Sequence, residues 1–389
     1  MRTQVAIIGG GPAGLLLGQL LRVNDIDSII IERHAREHVL SRIRAGILET
    51  GLVNMMKSVG AGNRMEREKL VHTGVNISHG NTMFRVDFKS LINGHVTVYG
   101  QTELTRDLYE ARDSAGCATY HECEDATPCD IETDRPYVAF RHKGAERKVY
   151  CDFIAGCDGF YGPSRQAIPV ESRIEYSKTY PFGWLGILSE TPPVAEDLIY
   201  ASSKRGFALC SMRNRHLSRY YIQCPLADSP DKWGDDMFWD ELKRRLPDFA
   251  ADKIATGKSI EKSMAPLRSF VCEPMSWGRL YLCGDAAHIV PPTGAKGLNT
   301  AAGDVHYLFN ALCWHYHDND NESLLAYSKK ALARVWKTQR FSWWMTNLLH
   351  RLDGQPEFER MMQKAELSLL SENRAAQEVM ATNYTGMPY

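Results

Sequence analysis

Apolar residues near the N-terminus come in unbroken runs rather than in alternation. Val5 to Ile8 are four in a row, and Ser28 to Ile31 form a second run that ends at Glu32. Between them, Leu15 to Leu21 is an apolar stretch of helical composition. Short β-branched runs fit strands buried on both faces of a parallel sheet, so the order predicts a strand–helix–strand unit. Two further runs, Phe153 to Ala155 and Leu280 to Cys283, each stop at a turn signal, Asp158-Gly159 and Gly284-Asp285. "VTVYGQTELTRDL" (96–108) reads as a strand passing into a helix. From about 180 to 270 the pattern alternates, as in "YPFGWLGIL" (180–188) and "RYYIQCPL" (219–226). Alternation predicts a sheet with one covered face. From about 306 the chain turns helical and aromatic-rich, as in "VWKTQRFSWWMTNLLHRL" (335–352). Trp336, Trp343, Trp344 and Met345 fit either a core stripe or a subunit contact.

Between the first run and its helix lies Gly9-x-Gly11-x-x-Gly14. An apolar N-terminus behind Arg2 could pass for a targeting segment. The glycines and Pro12 interrupt it, however, and Arg22, Asn24 and Asp25 end it short of the roughly 20 apolar residues of a membrane span. A dinucleotide site accounts for each residue instead. Gly9 permits a tight turn, Gly11 lets the backbone approach a pyrophosphate, and Gly14 lets helix pack on strand. The phosphates then face a helix N-terminus, and Glu32 stands where an acid takes ribose hydroxyls. Asp285, at another strand end, could do the same. The loop from Gly294 to Asn299 opens a helix and could offer N–H groups to a ring carbonyl. These residues alone do not separate FAD from a nicotinamide cofactor.

A chain of 389 residues with 44% hydrophobic residues can bury one large or two moderate cores. A formal net charge of -1 argues against bulk attraction to nucleic acid. The ten cysteines include no CxxC pair and no zinc-type cluster, which fits free thiols in a reducing cytoplasm and no metal.

The Gly-rich unit, "CDFIAGCDGFYGPSRQAI" (151–168) and "GRLYLCGDAAHIVPPTGAKGLNTAAGDV" (278–305), in that order, resemble the class A flavoprotein aromatic monooxygenases. "SRIRAGILE" (41–49), "TVYGQTELTRDL" (97–108), "RGFALCS" (205–211), "APLRSF" (265–270), "RFSWWMT" (340–346) and "NYTGMPY" (383–389) extend the resemblance over nearly the whole chain. It implies an α/β (α+β) fold: a Rossmann-like FAD-binding domain (1–72, 97–179 and 271–305), an interleaved substrate-binding sheet (73–96 and 180–270), and a helical or interface region (306–389). It also implies a homodimer, while the interrupted N-terminal run and the scattered thiols predict a cytoplasmic enzyme. The implied reaction is hydroxylation of 4-hydroxybenzoate at C3 to 3,4-dihydroxybenzoate with NAD(P)H and O2, by way of a C4a-hydroperoxyflavin. A relative acting on 4-aminobenzoate or 3,4-dihydroxybenzoate is the near alternative. A flavin halogenase, a dehydrogenase or a non-enzymatic flavin sensor are the distant ones.

The resemblance assigns roles residue by residue. Arg213, with Ser211 and Tyr221 beside it, matches the clamp on the substrate carboxylate. Tyr200 matches the partner of the substrate hydroxyl, Tyr384 its relay neighbour, Pro292 a nearby carbonyl, and His72 the surface end of a proton relay. The FAD matches are Gly9, Gly11, Gly14, Glu32, Arg33, Arg42, Arg44, Gln101, Arg219, Asp285, Leu298 and Asn299, with Lys296 adding positive potential near the ring. For NADPH, or NADH, they are Arg33, His34, His38, Arg42, Arg44, Tyr161, Arg165 and Arg268. A solvated basic helix face is the other reading of "ERHAREH" (32–38). The chain departs from the family's best-known members at His38, where they have tyrosine, and Tyr161, where they have histidine.

Overall fold

A computed structural model describes residues 1–41, 46–352 and 354–389; Arg42 and Arg44 lie outside the described residues. The apolar runs form one sheet. Its strands lie in the order Ser276–Trp277, Leu280–Leu282, Phe153–Gly156, Val5–Ile8, Ser28–Ile31 and Thr119–Tyr120. Val5–Ile8 pairs in parallel with both neighbours, Val5 facing Phe153 on one side and Ser28 on the other. The Pro12–Arg22 helix packs against the helices Gln101–Ser114 and Gly297–Asp318, burying Leu15, Leu16, Leu17, Leu20 and Leu21. Proline at its first turn lacks only an N–H that would be unpaired there in any case.

The alternating segment builds an eight-stranded sheet. Its order is His288–Ile289, Ser259–Glu273, Ile174–Ser189, Leu217–Pro225, Gly206–Asn214, Ile199–Ser203, Gly74–His79 and Thr82–Asp87. Alternation sends the two residue sets to opposite cores. Leu185, Ile187, Ala208, Tyr220 and Ile222 meet Phe238, Trp239 and Leu242 on one face. Those three residues belong to a helix, Asp235–Arg245, that interrupts a region expected to be all sheet. Their spacing of one, three and four is the helical signal that the surrounding alternation conceals. Trp184, Tyr200, Phe207 and Leu209 face the other way, toward Phe341, Met345, Leu349 and Tyr384 of the C-terminal helices. The aromatic stripe on the Tyr327–Leu349 helix divides: Met345 is core, whereas Trp336 and Trp343 are exposed. Among the described residues no helix is long and apolar enough to cross a membrane.

His350 locks this second core. Trp184 Nε1 donates to His350 Nε2 at 2.7 Å, and His350 Nδ1 donates to the Thr346 carbonyl at 2.9 Å. The ring stacks on Phe207 and Phe182 at 4.3 and 4.7 Å. Burial pushes its pKa down to about 3, so it stays neutral in the fold. An unfolded chain binds a proton there below about pH 6.5. The unfolded state therefore gains as pH falls, and this one group costs about 2 kcal/mol of stability by pH 5. A His350→Gln variant should flatten the stability–pH slope between pH 5 and 6.5 by about one proton, measured by urea unfolding. An unchanged slope would refute the assignment.

Candidate active site

The loops at the carboxyl ends of the parallel strands enclose a cavity of about 730 Å³. Such a position, above a strand–glycine–helix turn, suits a dinucleotide. Gly9 has φ +108°, and a Cβ there would lie 2.3 Å from the Cys157 carbonyl oxygen. At Gly14 a Cβ would lie 2.0 Å from the Gly9 carbonyl oxygen. Gly11 differs: a Cβ there would meet nothing within 4 Å, so its bareness leaves room in the cavity rather than relieving a protein contact. Glu32 spans the turn, accepting from Gly10 N at 2.6 Å and His34 N at 2.8 Å. Gln101, Asp285 and Leu298 also line the cavity. So does Asp158, whose Oδ1 has no hydrogen-bond partner and whose pKa burial pushes up. An open glycine cradle, an exposed Asp285 and an unpartnered carboxylate oxygen together fit a ligand with phosphates and hydroxyls.

The second cluster lies on the eight-stranded sheet. Register places Tyr200, Leu209, Tyr221 and Gly186 side by side across four strands, with Ser211 and Arg219 paired in the next row of the same face. Arg213 follows Ser211 by two residues, so its Cα lies about 13 Å along the strand from the Tyr200 row. Tyr200 Oη and Tyr384 Oη are 2.8 Å apart and fully buried, and burial raises both hydroxyl pKa values. Both stay protonated at neutral pH and can donate. At the other end Arg219 contacts Glu261 at 2.9 Å, Ser263 at 2.8 Å and the Tyr221 ring face at 5.1 Å. Arg213 sits among them with its Nε unpartnered; burial lowers its pKa, and nearby Arg219 lowers it further. A guanidinium remains charged regardless. Two arginines less one glutamate leave one positive charge, enough to call for one anionic group.

Gly186 keeps that end open. A Cβ there would lie 2.6 Å from the Tyr221 ring. Gly186→Ala should force the ring outward and raise the KM for an aromatic acid about tenfold, the scale of an overpacked contact, with FAD content unchanged. An unchanged KM in steady-state assays would count against this wall of the site.

Residues 2–342 match the protein family described as "FAD binding domain". The chain belongs to this FAD-binding family, as a flavoprotein aromatic monooxygenase. It is 51% identical to a p-hydroxybenzoate hydroxylase of Acinetobacter baylyi over 100% of this chain and 96% of that one. A 3-(3-hydroxy-phenyl)propionate/3-hydroxycinnamic acid hydroxylase of Burkholderia vietnamiensis is 23% identical, over 84% of this chain and 59% of that one. The fold is that of the Pseudomonas putida p-nitrophenol 4-monooxygenase, at TM-score 0.84 and 15% identity, both chains covered to 100%.

In the monooxygenase several expected roles need revision. His72 is 4% exposed and so is not at the surface. Its strand, Leu70–His72, pairs with Val96–Val98, and alternation turns Val71 outward and His72 in. Neither ring nitrogen has a partner, and burial lowers the pKa. Arg165 is structural: it donates to the carbonyls of Ala286 and Phe160 at 3.0 and 2.9 Å and meets Glu175 at 3.2 Å. That leaves it poorly placed to receive a phosphate. Arg268 instead stacks on Phe160 at 4.9 Å, beside Tyr161, which is 81% exposed. Arg33, His34 and His38 line the cavity mouth. The Asn299 side chain is consumed by Glu49 N and the carbonyls of Ile47 and Ala295, so only its backbone remains for a cofactor. Lys296 is paired with Glu49 at 2.7 Å, which tempers the positive potential expected of it. The Pro292 carbonyl already closes a turn with Ala295 N at 2.9 Å, though an oxygen can accept twice. Sequence reasoning missed Asp158, Glu49, Gly186 and Trp184. Of these, Asp158 alone carried a local signal, its place in a strand-end Asp-Gly turn.

Proposed function

We propose that this flavoprotein hydroxylates 4-hydroxybenzoate at C3, giving 3,4-dihydroxybenzoate, with NADPH as reductant. The observation that carries this reading is the single uncompensated charge of Arg213 on the same sheet face as the buried Tyr200–Tyr384 hydroxyl pair. The two ends suit a flat para-substituted acid. The 51% identity to a p-hydroxybenzoate hydroxylase supports the same substrate.

Bound FAD would supply two-electron acceptance from NADPH and activation of O2; Gly9, Gly11, Gly14, Glu32, Asp158 and Asp285 would hold it. Arg213 binds the substrate carboxylate through a planar fork, with Ser211 and Tyr221 fixing its orientation. Tyr200 donates to the substrate phenol oxygen and so favours its phenolate, which raises electron density at the ortho carbon. Tyr384 polarises Tyr200 through the 2.8 Å bond. The buried Trp184 and Leu209, with the half-buried Tyr221, exclude water from the ring. Arg33, His34, His38 and Arg268 form the NADPH approach. We also propose the three-part domain division set out above, a homodimer and a cytoplasmic location.

The test is NADPH and NADH oxidation with and without 4-hydroxybenzoate, with the aromatic product counted against peroxide. Stimulated oxidation with near-equal 3,4-dihydroxybenzoate is expected. Stimulation by 4-aminobenzoate alone would move the reading to that substrate, and no stimulation by any para-substituted benzoate would overturn it.

A further inference from the structure

A buried ionic cluster lies behind Tyr384, outside the groups assigned to substrate. Glu49, Lys296 and Arg334 are 4%, 3% and 7% exposed. The Glu49 carboxylate takes Lys296 Nζ at 2.7 Å on one oxygen and Arg334 Nη2 at 3.1 Å on the other. Each cation also holds the chain's last segment. Lys296 Nζ donates to the Tyr384 carbonyl at 2.8 Å. Arg334 Nη1 donates to the carbonyls of Met387 and Pro388 at 2.7 and 3.1 Å. The Tyr389 ring lies over the Arg334 guanidinium at 4.6 Å and stacks on His306 at 4.6 Å.

Three glycines make room for this arrangement. Gly386 ends the Arg374–Thr385 helix at φ +104°, and a Cβ there would lie 2.3 Å from Glu49 Oε2. A Cβ at Gly51 would lie 2.4 Å from the Tyr389 ring, and one at Gly303 would lie 2.9 Å from Arg334 Nε. Glycine at a left-handed position and at close approaches is a local constraint, and here the three constraints fall on Glu49, Tyr389 and Arg334, the three members of one cluster.

We infer that Arg334 is a positioning residue: by clamping residues 386–389 it holds the Tyr384 hydroxyl against Tyr200. The inference rests on the substrate reading above for its catalytic meaning. The Arg374–Thr385 helix ends one residue after Tyr384, so whatever anchors the next four residues sets the reach of that side chain. Among the described residues, Arg334 alone joins the carboxylate, two tail carbonyls and the Tyr389 ring. A lysine keeps the charge but cannot span all of them, because it lacks the planar fork.

The experiment compares the holoenzyme with R334M, R334K and Y389A by three readouts. These are amide exchange over residues 374–389, crystal structures giving the Tyr200–Tyr384 Oη separation, and the ultraviolet spectrum of bound 4-hydroxybenzoate from pH 6 to 9. In R334M, exchange at Thr385–Tyr389 should rise at least tenfold and the Oη separation should exceed 3.5 Å. The apparent pKa of the bound phenol should rise by about one unit, a tenfold loss of phenolate at a given pH. R334K and Y389A should fall between R334M and the parent, and FAD content should hold. If R334M fails to retain FAD, the other two variants decide by the same readouts. Unchanged exchange, or faster exchange with an unaltered Oη separation and phenol pKa, would overturn the inference. If the parent enzyme binds 4-hydroxybenzoate without ionising it, the substrate reading fails, and the crystallographic separation alone decides the clamp.

Discussion

Arg213→Ala should raise the KM for 4-hydroxybenzoate on the order of 100-fold. Two charge-assisted hydrogen bonds from one guanidinium to a carboxylate contribute about 3 kcal/mol together, and about 1.4 kcal/mol is a factor of ten. The neighbouring Arg219 cannot substitute, because Glu261 and Ser263 already occupy it at 2.9 and 2.8 Å. Arg213→Lys should recover little, since a point charge lacks the fork. The alanine variant should keep its FAD, as Arg213 does not line the cofactor cavity. Direct titration of substrate against flavin absorbance checks this, and an affinity within threefold of the parent would remove Arg213 from the carboxylate site.

The second large effect is a contrast between two glycines three residues apart. Gly11→Ala should fold normally and lose FAD affinity tenfold to a hundredfold. Its added methyl meets no protein atom within 4 Å but would enter the space expected for a pyrophosphate. An overpacked contact costs about 1–3 kcal/mol, which sets that range. Gly14→Ala should lose both cofactor and stability. Its Cβ would press the Gly9 carbonyl oxygen at 2.0 Å, and backbone cannot swing aside as a side chain can. Flavin absorbance per chain and thermal midpoint, measured on both variants, separate the cases. Equal midpoints would show that Gly14 is not a packing glycine.

The strand–helix–strand unit was legible because its physics is local: glycine spacing, apolar runs and Glu32 lie within one short stretch of sequence. The alternating sheet was legible for the same reason. Side-chain fates that depend on distant partners were not. His72 is buried by pairing with Val96–Val98, and Arg165 is captured by carbonyls at 160 and 286. Lys296 finds its counter-charge 247 residues away at Glu49. None of these contacts leaves a periodic trace. The helix Asp235–Arg245 was missed for a different reason, that a short amphipathic helix amid long alternating strands is outvoted by its surroundings. Residue roles such as those of Tyr200 and Tyr384 came from resemblance, and the structure adds that their hydroxyls touch.

The order of strands in the parallel sheet has a consequence in time. The Val5–Ile8 strand emerges first, yet its other neighbour is Phe153–Gly156, and the next strand out is Leu280–Leu282. The cavity wall includes Asp285 and Leu298 as well. At about 5–20 residues per second of synthesis, the N-terminal strand waits some 15–60 s for the last wall of the cavity. During that interval its sheet has an open edge and its glycine turn has no roof. Newly made chains therefore pass through a stage in which the cavity is incomplete, and cofactor capture follows the synthesis of Asp285 and Leu298.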